Sequence, residues 1–430
     1  MSSHGAAGTS SKSLSIILTN PQDYYLPQQV IAGVVQLDTV LDTAIASIVI
    51  HLKGLARSQA RQPTGQTISS FSKEIVLLHR SELLYESKRT QKAASFQWPF
   101  RFELNPDPAV STSVAHIGQN VSLLPSFHFL RSGSNVATDL SVAYLIEAEA
   151  VFLSDSPISR TNHKKTCSLP FRLLAAPPAD LLDGSDPTIR GGKTQAVVIQ
   201  TFDLLPDQEK SQVSSARRAA RSLFRSKAVP KLTFDFDVSY PTSIQVGHPH
   251  PVPFIIGVQA RTAADQTTVV PDQRSFYRYS TVFLKHASVK LRIVTDCICP
   301  TLRGDLCWAD TQEQTMANHT LAETRLPLSS IYSEEKTGNS GSLRSCTDLG
   351  RTLGFKFRGE SQTTNDATFD ASFALLNMAR RYYFDWTFII ECANQKLTIK
   401  GCSDEIALIP LQVKALVPSK RVSDSSEKSN

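Results

Sequence analysis

The stretch SFQWPFRFELNPD, from Ser95, sets Phe96, Trp98, Phe100, Phe102 and Leu104 at strict period two, with Gln97, Arg101 and Glu103 between them. Only an extended strand puts every second side chain on one face, so this run is a strand with one buried side. Pro99 removes a ladder donor and assigns the strand to an edge or a bulge. Residues 47–55, SIVIHLKGL, alternate Ile48, Ile50 and Leu52 against Val49, His51 and Lys53. DLSVAYLIEAEAVFL, from Asp139, alternates Val142, Tyr144, Ile146 and Ala148 and is read as strand despite its alanines. VPKLTFDFDVSYP, at Val229, sets Leu232, Phe234 and Phe236 against Thr233, Asp235 and Asp237. Strands are also read in HPVPFIIGVQA, SVKLRIVTD, LGFKFRG, YYFDWTFIIECANQKLTIKG and EIALIPLQVKALV. Short strands with alternating faces, separated by turn residues, bury those faces sheet against sheet. The expected fold is all-β, as two tandem immunoglobulin-like β-sandwiches.

A chain of 430 residues exceeds one core and suits two domains. The adjacent Pro177 and Pro178, followed by an Asp-Gly pair, mark the boundary. The expected division is a disordered 1–11, a first sandwich over 12–176, a linker over 177–227, a second sandwich over 228–417, and a serine-rich, disordered tail over 418–430.

Hydrophobic residues make up 41% and charged residues 20%, and no apolar run approaches the roughly 18 residues of a membrane span. The opening MSSHGAAGTSSKS lacks the apolar core of a secretory signal, so a cytoplasmic location is expected. Seven cysteines at irregular spacing fit a reducing compartment without a disulfide framework. The net charge of +6 is localised: Lys210, Arg217, Arg218, Arg221, Arg225, Lys227 and Lys231 fall in one stretch with no acidic residue. Removing those seven from the 45 basic residues leaves 38 against 39 acidic, so the rest is neutral and nucleic acid is not an expected partner.

YLPQQVIAGVVQL, residues 25–37, is a turn leading into a strand, with Pro27 fixing φ and Gly33 inside a branched apolar run. A glycine there marks close approach of another backbone or ring. Tyr25, Pro27, Ile31, Gly33 and Val35 match a pattern close to Tyr-x-Pro-Gly-x-x-Val-x-Gly-x-Val, with Gln28 in place of the first glycine. With FQWPFRFEL, LLPSF (Leu123 to Phe127) and VAYLIEA, the chain resembles the arrestin-like superfamily, in particular fungal α-arrestin-like proteins. The resemblance covers most of the first domain by motif and the second by pattern. It implies an early strand in which Gly33 packs closely against its neighbour, and a second in which Gly54 ends the strand. It also implies an adaptor for cytoplasmic tails of membrane transporters or receptors, linked to endocytic or ubiquitin-dependent trafficking and recruited to plasma membrane or endosomes. The Pro-Pro-x-Tyr and Leu-Pro-x-Tyr words that recruit ubiquitin ligases in many α-arrestins do not occur, so any ligase link is expected to be indirect. The phosphate-sensing polar core of visual and β-arrestins maps onto no motif here.

The segment SSARRAARSLFRSKA, from Ser214, has helical spacing. Val213, Ala216, Ala220 and Leu223 with Phe224 form one face, and Arg217, Arg218, Arg221, Arg225 and Lys227 provide the charge. It is the candidate contact for anionic lipid or a phosphopeptide. The competing reading is a solvated interdomain helix. Asp235 and Asp237 share the solvent face of a strand, which suits solvation better than paired acid–base chemistry. Cys297, Cys299 and Cys307, like His248 and His250, lack the paired spacing of a zinc site. With no catalytic or phosphate-binding motif, no enzyme, metal or cofactor is expected. The alternative function is an intracellular protein-interaction scaffold without a membrane role.

Overall fold

The computed structural model describes residues 12–64, 67–87, 89–105, 123–132, 136–153, 163–174, 189–205, 210–223, 229–246, 248, 250–261, 267–268, 281–301, 304–326, 345–355 and 372–409. It is all-β, built as two sandwiches. In the first, β1 (Lys12–Leu18), β2 (Val30–Thr39) and β6 (Ser95–Glu103) form one sheet in the order β1-β2-β6. Its partner sheet holds β3 (Thr43–Thr64), β4 (Thr67–Glu86), β7 (Phe127–Ser132) and β8 (Ala137–Phe152) in the order β4-β3-β8-β7, with β5 (Thr90–Gln91) on β3 and β9 (His163–Phe171) on β8.

The second sandwich repeats this plan. One sheet runs β10-β11-β13-β16, from β10 (Ile189–Gln200), β11 (Lys231–Pro241), β13 (Ile255–Ala260) and β16 (Ser345–Asp348). The other is the hairpin of β14 (Val282–Thr301) and β15 (Gly304–Leu326), with β18 (Met378–Cys392) beside β14. The short β17 (Phe373–Ala374) and β19 (Gln395–Cys402) share the far edge of β18, as β7 and β9 share that of β8. β12 (Ser243–Gln245) and β20 (Ala407–Ile409) form a separate parallel pair.

Period two drives both cores. Ile48, Ile50 and Leu52 are wholly buried, each contributing about 1.5–3 kcal/mol relative to exposure. β18 alternates buried and half-buried residues along its whole length. β6 is an edge strand, as Pro99 requires, with Phe100 and Phe102 buried. Gly33 packs as its position suggests: a Cβ built there would press on the Ile17 carbonyl oxygen and lie 2.9 Å from Phe100 Cζ.

Three expectations are corrected. Gly54 does not end its strand, because β3 continues to Thr64; the glycine sits at a register shift, where a Cβ would lie 2.6 Å from the Tyr144 ring. The stretch assigned to the linker contains β10, which pairs with β11 from Ile189 to Gln200. Only Val197 and Ile199 of that edge strand face the core, so its first half carries no alternation to read. LGFKFRG is not a strand at its start: α2 (Leu349–Leu353) is a short helix closed by Gly354 at φ 67, and its remainder lies outside the described residues. The segments 1–11 and 418–430 also lie outside them.

Candidate functional site

The basic segment forms α1 (Ser215–Leu223), a helix as its spacing predicts. Ser214 opens it, its carbonyl accepting from the Arg218 N–H at 3.0 Å, and serine is a favoured residue at that position. Before it, a 3-10 turn over Phe202–Leu204 is capped by Thr201, whose hydroxyl accepts from the Asp203 N–H. Between turn and helix lies a cavity of about 270 Å³ lined by Thr201, Phe202, Asp203, Lys210, Ser215 and Arg218. Lys210 is ion-paired to Asp203 at its wall.

Two residues of the expected apolar face are open to solvent. Ala216 and Ala220 are exposed, together with Arg217, while Arg218 is half-buried and turns toward the cavity. Arg221 lies within α1, and Arg225 and Lys227 lie outside the described residues.

Strand register gathers further cations at this end of the second sandwich. Gln200 is opposite Lys231, Phe283 is opposite Glu391, and Glu391 is opposite Lys396. The Gln395 side chain donates to the Gln200 carbonyl at 3.3 Å, which joins the two sheets there. Lys285 and Arg325 both lie over the Phe283 ring, at 5.3 and 5.9 Å. Asp203 and Glu391 each face a lysine. Lys285, Arg325 and Lys396 were not legible as site residues, because each is an isolated charge on a strand and only pairing brings them together around Phe283 and Glu391.

The seam between the sandwiches is a second constellation that sequence reading missed. Arg131, at the end of β7, forms an ion pair with Asp310 of β15 and lies 5.7 Å from the Trp308 ring centroid. Asp310 is buried, and its second oxygen accepts from Gln312 at 3.3 Å. Asn377 is wholly buried, and its amide donates to the Ala56 carbonyl, Ser58 Oγ and the Lys73 carbonyl at 3.3–3.4 Å. Phe373, Leu375 and Met378 complete the core of the first sandwich from the second.

The other candidates have plain roles. Asp235 takes a bidentate contact from Arg261 at 2.8–3.0 Å, and Asp237 accepts from Thr194 at 2.6 Å. Both point to the solvent side of β11 as strand supports. Among the described residues, no group of three or more His, Cys, Asp or Glu is arranged to hold a metal ion. Among them, too, no helix is long and apolar enough to cross a membrane.

The described residues thus form tandem antiparallel sandwiches with a basic helix at one end of the second. Residues 14–161 match the family model of the arrestin (or S-antigen) N-terminal domain, so the first sandwich is similar to that domain. A comparison with curated proteins returned no match.

Proposed function

We propose that the protein is an arrestin-like adaptor that binds cytoplasmic regions of membrane proteins and links them to trafficking machinery, resting on anionic membrane through α1. The arrestin N-terminal domain supports the adaptor part of this reading. The observation that carries the membrane part is the outward face of α1, where Ala216, Arg217 and Ala220 are exposed beside a cation-lined cavity. Small apolar residues flanked by arginine suit a shallow interfacial position, with about 1 kcal/mol from each cation near an anionic surface. Binding by surface recognition, not catalysis, fits the held carboxylates of β11. The absence of Pro-Pro-x-Tyr words makes any ubiquitin-ligase link indirect.

The test is co-sedimentation with phosphoinositide-containing liposomes, comparing the intact protein with one carrying Arg217→Ala, Arg218→Ala, Arg221→Ala and Arg225→Ala. Salt-sensitive binding that weakens at least about 30-fold in the variant is expected, since roughly 1.4 kcal/mol is a factor of ten. Equal sedimentation of both forms, or none by either, removes the membrane role and leaves a protein scaffold.

A further inference from the structure

Cys297 and Cys299 lie on the same face of β14, both buried, with their sulfurs 3.6 Å apart. Cys299 Sγ is also 3.6 Å from Ser58 Oγ of the first sandwich. Ile298, between them, commits both backbone groups to the seam: its N–H donates to the Asn377 carbonyl at 2.9 Å, and its carbonyl accepts from Ser58 Oγ at 3.1 Å. Beside the pair lies a cavity of about 340 Å³ lined by Cys297, Ile298, Cys307, Trp308, Leu375 and Met378. It is large enough for a small hydroperoxide.

We propose that Cys297 and Cys299 form a peroxide-responsive dithiol whose oxidation loosens the seam between the two sandwiches. The two thiols are inequivalent. The hydrogen bond between them favours the Cys299 thiolate against the cost of burial, with the Ala60 N–H and the Lys73 charge adding to it. The same bond and burial hold Cys297 protonated. Cys297, which alone of the pair lines the cavity, meets the peroxide. Its proton passes to Cys299 across the 3.6 Å contact, the Cys297 thiolate attacks one peroxide oxygen, the O–O bond breaks, and the leaving hydroxide takes the Cys299 proton as water. The Cys299 thiolate then attacks the sulfenic sulfur; the S–O bond breaks, the S–S bond forms, and the second hydroxide is protonated from solvent. Each sulfur gives up one electron and the peroxide is reduced to two waters.

Two residues of an extended strand span about 6.6 Å between Cα atoms, near the upper limit of roughly 6.8 Å for a disulfide. Drawing the sulfurs to about 2.05 Å therefore shortens the strand at Ile298. The bond that the Ile298 N–H donates to Asn377 and the one its carbonyl accepts from Ser58 Oγ are the ones displaced.

The intact protein is titrated with hydrogen peroxide, alkylated and digested with trypsin, which releases both cysteines in the peptide 293–303. The expected result is a peptide lighter by two hydrogens, restored by dithiothreitol, with amide exchange at Ile298 rising about tenfold. Cys299→Ser is expected to leave a sulfenic acid at Cys297 that dimedone traps. The dithiol is overturned if that peptide keeps its mass while the exposed Cys307, Cys346 and Cys402 are oxidised at the same dose. The loosening is overturned if the disulfide forms and exchange at the Ile298 amide is unchanged. Both readouts use the unaltered chain, so they stand even where a serine variant fails to fold.

Discussion

Gln28 shows what one residue contributes. Gln29 donates to the Leu26 carbonyl at 3.2 Å, closing a turn with Pro27 second and Gln28 third at φ 70. Proline followed by a positive φ is the pattern of a type II turn, where glycine is favoured. A left-handed glutamine costs roughly 1–2 kcal/mol, against about 0.5–1 kcal/mol of extra entropy that glycine loses on folding. Gln28→Gly is therefore expected to stabilise the protein by about 0.5–1 kcal/mol. Gly33→Ala acts oppositely: its methyl meets a backbone carbonyl and a ring that cannot both move, for about 2–3 kcal/mol of destabilisation. Urea titration of the two variants checks both signs.

At the level of elements, α1 and β10 contrast in how they were read. Arginine and alanine spacing made the helix legible, yet which side faces the body was not. Alanine gains too little by burial to fix the rotation, and the cavity side was decided by Thr201, Asp203 and Lys210. If the outward side meets lipid, Ala216→Glu with Ala220→Glu is expected to lower liposome binding by about tenfold or more. The melting temperature should stay unchanged, because neither side chain is buried. A thermal melt beside the co-sedimentation assay separates the two effects; unchanged sedimentation places the contact elsewhere. β10 was missed for the converse reason, since the strand-forming half of an edge strand with two glycines needs a neighbour to define it.

For the whole molecule, the seam decides whether two sandwiches act as one body. Arg131 is half-exposed while the Asp310 side chain has 1% of its surface exposed, so Arg131→Ala strands a buried carboxylate. That is expected to cost about 1–3 kcal/mol, less than for a fully buried pair because solvent screens the arginine. Asp310→Asn in the same background should recover part of the loss, since the charge is what burial penalises. Urea melts of the two single variants and the double variant give the coupling directly; additive losses would mean that the pair contributes no cross-seam energy.

The sequence by itself determined the strands with a clear period of two, the edge position of β6 through Pro99, the close packing at Gly33, the helix in the basic segment and the arrestin-like resemblance of the first domain. Each of these follows from neighbours along the chain: a proline lacks a donor, alternation selects a face, and a glycine leaves room. Tertiary structure alone decided the outward side of α1, the cations gathered at the distal end, the Arg131–Asp310 pair and the junction of Ser58, Ile298 and Asn377. Those contacts join residues up to 319 positions apart, and such a distance is set by sheet register and by how two cores close on each other. No local pattern encodes it.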